Sequence, residues 1–145
     1  MPVFYSIKTT GFNNMGQQEP FSPLNLQNKN MDVKFINGVT VIKCVDRIDI
    51  YNSPVFDAAI DMLISHNNNP VLFNMKDVFY IDSSGLGVLI SSMRKLKKEG
   101  RFFKLVGLSD FVKKVINRAR MDNYFDIYET EEDAFRSING SESSV

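Results

Sequence analysis

The residues best placed for chemistry lie in one short stretch, Asp82-Ser83-Ser84-Gly85-Leu86-Gly87, where an acid, two hydroxyls and two glycines fall within six positions. It follows a run of apolar residues and precedes an amphipathic pattern, so it occupies the loop and first turn of a helix. Backbone N–H groups at a helix start lack intrahelical partners, and with the positive end of the helix dipole they favour an anion by about 0.3–1 kcal/mol. Ser83 and Ser84 therefore sit where an added phosphate would be well placed. Gly85 and Gly87 each lower helix propensity by about 0.8–1 kcal/mol relative to alanine. A helix start that accepts this cost suggests close backbone approach, either by another chain or by the sheet beneath. The stretch also has a plainer reading, in which Asp82 or Ser83 is only an N-cap. It is not a nucleotide P-loop, because the required lysine and glycine offsets are missing.

Ser83, Asp82 and His66 are the residue types of a hydrolase triad. His66, however, ends a different helix in an Asn-rich loop, and no Gly-x-Ser-x-Gly elbow is present. No enzyme is expected. A single cysteine, Cys44, and a single histidine exclude an internal disulfide and a His/Cys zinc site, so neither metal nor cofactor is expected. The 17 basic and 17 acidic side chains balance, which argues against binding nucleic acid or an acidic membrane through bulk charge. No segment offers the ~20 apolar residues needed to span a bilayer, and the first residues lack the order of a secretory signal. A soluble, cytoplasmic protein is the expectation.

The elements that must carry the stretch can be read from the punctuation. Residues 1–30 are rich in Asn and Gln and poor in charge, and read as a polar, flexible N-terminal extension whose scattered Phe and Tyr side chains could dock on the domain or a partner. From residue 31, Val33 and Phe35 alternate, Asn37-Gly38 signals a tight turn, and Val39–Val45 is rich in β-formers; this is an antiparallel hairpin. Ser53-Pro54 starts a helix as N-cap and first helical residue. Its apolar face is expected to combine Val55, Ala59 and Met62 with Phe56, Ile60 and Leu63. Val71–Met75 reads as a short central strand covered on both faces. A helix over about 84–99 follows, ending at Gly100, with Leu86 on its inner face and Arg94, Lys95, Lys97 and Lys98 toward its C-terminus. Phe102–Val106 is a strand, and Ser109 caps a helix facing inward through Val112, Val115, Ile116 and Ala119. Asp126–Tyr128 is a short edge strand. Thr130-Glu-Glu-Asp133 opens a last helix that faces in through Ala134, Phe135 and Ile138.

The expected fold is α/β, a mixed β-sheet of about four strands with an N-terminal antiparallel hairpin and about four helices. It spans residues 31–138, with 139–145 as a flexible tail. At this chain length roughly 70% of the unfolded surface is buried on folding, enough for one core without staples. Charge is unevenly spread: residues 94–120 hold ten basic and two acidic side chains, and 121–145 hold one basic and seven acidic. Neighbouring helices with complementary charge explain this better than a nucleic-acid surface.

Three blocks in order closely resemble the bacterial anti-sigma factor antagonists of the STAS-domain family. They are Asp82–Leu89; Arg47-Ile-Asp-Ile-Tyr-Asn-Ser-Pro-Val55; and Phe102–Ser109 with Phe111 and Val112. The resemblance implies a STAS fold and a partner switch. The unmodified protein would bind a serine-kinase anti-sigma factor and so release a sigma factor. That ATP-binding kinase would then phosphorylate Ser83, with Ser84 the lesser candidate, and a PP2C-type phosphatase would reset the cycle. ATP and Mg²⁺ belong to the kinase. Asp49, Tyr51, Asp82, Ser83, Ser84, Gly85, Leu86 and Gly87 would form the partner-binding surface. Asp49 could equally be a solvated loop acid, and Leu86 is better placed in the core. Asp46 stands where the family usually has glycine, and Arg120 where glycine is common. The alternative reading is a non-switching interaction or scaffold module of another bacterial signalling system, with Ser83 only a cap.

Overall fold

The computed structural model describes residues 3–5 and 31–143. Most of the expected leader therefore lies outside the described residues. In chain order the elements are β1 (Val3–Tyr5), β2 (Met31–Ile36), β3 (Val39–Ile48), α1 (Ser53–His66), β4 (Val71–Ile81), α2 (Ser83–Lys98), β5 (Phe103–Val106), α3 (Asp110–Arg118), β6 (Asp126–Tyr128) and α4 (Glu131–Ser143). The described strands form one six-stranded sheet in the order β1-β2-β3-β4-β5-β6, against about four expected. Its first two pairings are antiparallel and the other three parallel.

Asn37 and Gly38 both adopt positive φ, at 50° and 78°, which suits a two-residue hairpin turn of the primed type. Pairing Ile36 with Val39 directly across it fixes the β2–β3 register. The parallel strands are linked by helices, as their hydrophobic periods require. The larger core joins one sheet face to α1, α2 and α3, with Phe56, Phe73, Leu89 and Val112 fully buried in it. On the other face, among the described residues, α4 covers Val39, Val41, Leu72 and Val106 through Ala134 and Ile138, with Phe135 half-buried beside them.

Three local expectations change. The N-cap of α1 is Asn52, not Ser53, and Asn52 makes no side-chain cap bond. Its amide is occupied elsewhere: Nδ2 donates to the Arg47 carbonyl at 2.8 Å, and Oδ1 accepts from the Asp49 N–H at 2.8 Å. The buried stripe of α1 is Phe56, Ala59, Ile60, Leu63 and Ile64, spaced i, i+3, i+4, i+7, i+8, which turns Met62 outward. Ala119, expected to face in from α3, is the exposed C-cap of that helix.

A fourth change matters most for the site. β4 does not stop at Met75 but runs on to Ile81. The polar pair Lys76-Asp77 ends the apolar run without ending the strand. Beyond Asn74 the pairing with β3 slips twice, from Lys43↔Asn74 to Val45↔Asp77 and from Asp46↔Val78 to Arg47↔Tyr80. Each slip inserts an extra residue on β4, the geometry of a β-bulge, and the second leaves both Phe79 and Tyr80 exposed. β5 pairs only with Val71–Asn74, so the rest of β4 has β3 on one side and α3 packed against it, where Phe111 stacks on Tyr80 at 5.4 Å between ring centroids. α4 reaches Ser143, beyond the boundary expected at residue 138.

Candidate functional site

β3 and β4 end side by side, and each gives way at once to a helix. Ile48 pairs with Ile81, and the Asp82 N–H donates to the Ile48 carbonyl at 3.4 Å. The β3–α1 loop and the start of α2 are thereby held next to each other. Asp82 is the N-cap of α2: its Oδ1 accepts from the Gly85 N–H at 3.0 Å, and its main-chain carbonyl accepts from the Leu86 N–H at 2.9 Å. Its second oxygen, Oδ2, accepts from the Ile50 N–H at 3.0 Å, in the neighbouring loop.

Ser83 is the first residue of α2 and is exposed, whereas Ser84 is half-buried. No acidic side chain lies in the first turn of α2. The positive end of its dipole is met by the capping carboxylate of Asp82.

The glycines separate in role. A Cβ on Gly85 would lie 2.2 Å from the Ile48 carbonyl oxygen and 2.6 Å from Ile81 Cγ1, so its missing side chain is used inside the chain, letting α2 seat on the strand ends. Gly87 is exposed with nothing within 4 Å of such an atom, and it is the glycine open to outside approach. Leu86 is buried in the larger core.

Asp49 and Tyr51 also part company. Asp49 is 7% exposed and spends its carboxylate locally, with Oδ1 accepting from the Tyr51 N–H at 2.9 Å and the Asn52 N–H at 3.3 Å. It shapes the loop instead of standing in solvent. Tyr51, at 89% exposed, and Ile50, at 62%, are what that loop presents. Ile50 was not singled out in the sequence, where a lone isoleucine between two loop residues carries no signal of exposure. Phe79 carries no such signal either, because the apolar run ends at Met75, and Phe111 stands out only as a member of the third family block. Arg47 lies over the Phe79 and Tyr80 rings at 5.8 and 5.9 Å and pairs with Asp46 at 3.6 Å.

His66 is not part of this arrangement. It ends α1 before β4 begins, while Ser83 follows the far end of that strand, roughly 30 Å away at ~3.3 Å per residue. The hydrolase triad does not assemble. Among the described residues no group of three or more His, Cys, Asp or Glu side chains is arranged to hold a metal ion, and no helix is long and apolar enough to cross a membrane.

Residues 30–134 match the STAS domain family model. The chain belongs to the STAS family. The anti-sigma-B factor antagonist of Bacillus subtilis is 29% identical over 100 residues, covering 69% of this chain and 91% of that protein. The crystal structure of an anti-sigma factor antagonist from Mycobacterium paratuberculosis superposes with a TM-score of 0.69 at 25% identity, covering 75% of this chain and 92% of the other. The anti-sigma factor antagonist SpoIIAA in its unphosphorylated form shares the fold, with a TM-score of 0.68 at 22% identity over 76% of this chain and 96% of that one.

Proposed function

We propose that this STAS protein is an anti-sigma factor antagonist, acting in the cytoplasm, whose grip on its partner is controlled by phosphorylation of Ser83. In this reading the unmodified chain binds a serine-kinase anti-sigma factor and frees the sigma factor. The kinase transfers the γ-phosphoryl of its own Mg-ATP to the Ser83 hydroxyl, ADP leaves, and the complex separates. A PP2C-type phosphatase hydrolyses the ester and restores binding.

The observation that carries the reading is the exposure of Ser83 at the first position of α2, immediately after a cap that is already satisfied. Modification there leaves the cap bonds of Asp82 in place, so the fold is retained. Phosphate adds about −1.5 to −2 charges and three acceptor oxygens at one surface point. A contact built around a small hydroxyl loses complementarity through bulk, desolvation and repulsion by acids of the partner. Kinship to the Bacillus subtilis anti-sigma-B factor antagonist supports the same reading.

The test is to mix the purified chain with a serine-kinase anti-sigma factor of its own genome and Mg-ATP, and to map phosphate by mass spectrometry. A single phosphate on Ser83, absent from Ser83→Ala, is expected, with the phosphorylated chain losing affinity. Phosphate elsewhere, or undiminished binding of the chain phosphorylated at Ser83, defeats the switch.

A further inference from the structure

We infer that Asp82 is a positioning residue: its carboxylate fastens the Ile50–Tyr51 loop to the start of α2, so that Ser83 and two exposed apolar side chains meet a partner as one preset surface. The inference rests on the function proposed above and adds how the surface is assembled.

A carboxylate has two acceptor oxygens, and Asp82 divides them between two elements. Oδ1 serves the Gly85 N–H of its own helix, and Oδ2 serves the Ile50 N–H, thirty-two residues earlier in the chain. The first bond is an ordinary N-cap, which Ser or Asn would satisfy equally. The second is not needed by α2 at all. It pins the one loop that carries both Ile50 and Tyr51 in the open.

The rest of that loop is braced to hold its shape. The Asp49 carboxylate accepts from the Tyr51 and Asn52 amides, and the Asn52 side chain bridges the Asp49 N–H and the Arg47 carbonyl. These bonds fix the loop internally, and the Asp82–Ile50 bond adds a side-chain anchor that ties it to the serine's helix. Exposed apolar side chains lose affinity when they must be ordered on binding, and a preset loop avoids that loss.

Asp82→Ser separates the two bonds. Its short hydroxyl keeps the cap but cannot reach Ile50. Asp82→Asn is the companion variant, because the two bonds use different oxygens and the amide replaces one of them with an NH2 group, which donates and cannot accept from an N–H. In the free chain, amide hydrogen exchange is expected to accelerate about tenfold or more at Ile50 in Asp82→Ser, with Gly85 protection and the thermal midpoint near wild type. Affinity for the kinase anti-sigma factor is expected to fall about tenfold, although Ser83, Ile50 and Tyr51 are all still present. In an Ile50→Ala/Tyr51→Ala background, the same Asp82 change is expected to have little further effect, since a residue acting through the loop is non-additive with it.

Unchanged Ile50 exchange in both variants, or effects that simply add, would overturn the positioning role. If the wild type binds no such kinase, the proposed function fails and the docking half of the inference with it, while the exchange data still report whether the bond holds the loop.

Discussion

Gly85 shows at the scale of one residue how packing overrides propensity. Alanine there would raise helix propensity by about 0.8–1 kcal/mol. Its Cβ, however, would stand 2.2 Å from the Ile48 carbonyl oxygen, an atom of the backbone that cannot swing aside. α2 would have to retreat from the strand ends, stretching both bonds of the Asp82 carboxylate. Gly85→Ala is therefore expected to destabilise the fold by about 2–4 kcal/mol, read from urea unfolding. An unchanged midpoint would show that α2 is not seated on Ile48. The sequence pointed to this position, and it could say that something comes close to the glycine. It could not say that the something is a carbonyl at the end of β3. Asp49 is similar: its residue type fitted both a solvated acid and a partner contact, and only the loop geometry shows the carboxylate turned onto its own backbone.

At the scale of elements, α2 and α3 end in the same way with different residues. After α2, the Gly100 N–H donates to Lys97 and the Arg101 N–H to Leu96, with Gly100 at φ 70°. After α3, the Arg120 N–H donates to Asn117 and the Met121 N–H to Ile116, with Arg120 at φ 57°. Both are Schellman endings, which glycine suits because a Cβ is crowded in the left-handed region. Arg120→Gly is expected to stabilise the protein by about 1 kcal/mol, measured as a rise in denaturation midpoint, whereas Gly100→Ala should lower it by a similar amount. A lowered midpoint for Arg120→Gly would mean that the arginine side chain contributes more than its backbone costs. Asp46, the other departure from the family's glycine, likewise has positive φ, 73°, at the β3 irregularity. Hairpin, helices and helix starts were legible because their signals are local: Asn37-Gly38, the cap at Ser109, the Thr130 opening of α4. The continuation of β4 was not, since a strand that bulges twice abandons the strict alternation by which strands are recognised.

Across the whole molecule, the uneven charge closes on itself. Lys104 pairs with Asp126 and Lys113 with Glu129, each at 3.3 Å, joining the basic block to the acidic one that follows it. Arg101 ties the α2–β5 loop to the end of α1 and the loop before β4, at the one end of the sheet where Val71 and Phe103 pair, donating from its buried guanidinium to the carbonyls of Asn69 and Ile64. The two-faced core also sets how the molecule responds to alkali. Cys44 is fully buried on β3, and burial pushes its thiol from 9.0 up to about 12. The folded state excludes the thiolate, so this contribution to stability is complete below about pH 9 and is lost as pH rises toward 12, at up to ~1.4 kcal/mol per pH unit. Denaturation midpoints are expected to fall more steeply above pH 9 in the wild type than in Cys44→Ala, and alkylation at neutral pH should proceed only through unfolding. Rapid alkylation of the native chain would show that the core opens locally at β3.

The one-sided pairing of β4 beyond Asn74 bears on solubility. A strand with a free ladder edge is a template for pairing with another chain. Among the described residues the edge is in the segment that leads into Ser83, and what flanks it is not a strand but the Gly107 turn against Lys76 and then α3, through the Phe111 ring stacked on Tyr80. Phe111→Ser is expected to raise concentration-dependent light scattering with little change in helix content; scattering equal to wild type would show that the helix backbone alone protects the edge. The strand end that leads into Ser83 is thus also a part of the sheet open to self-association, and the Phe111 ring stacked on Tyr80 stands beside it.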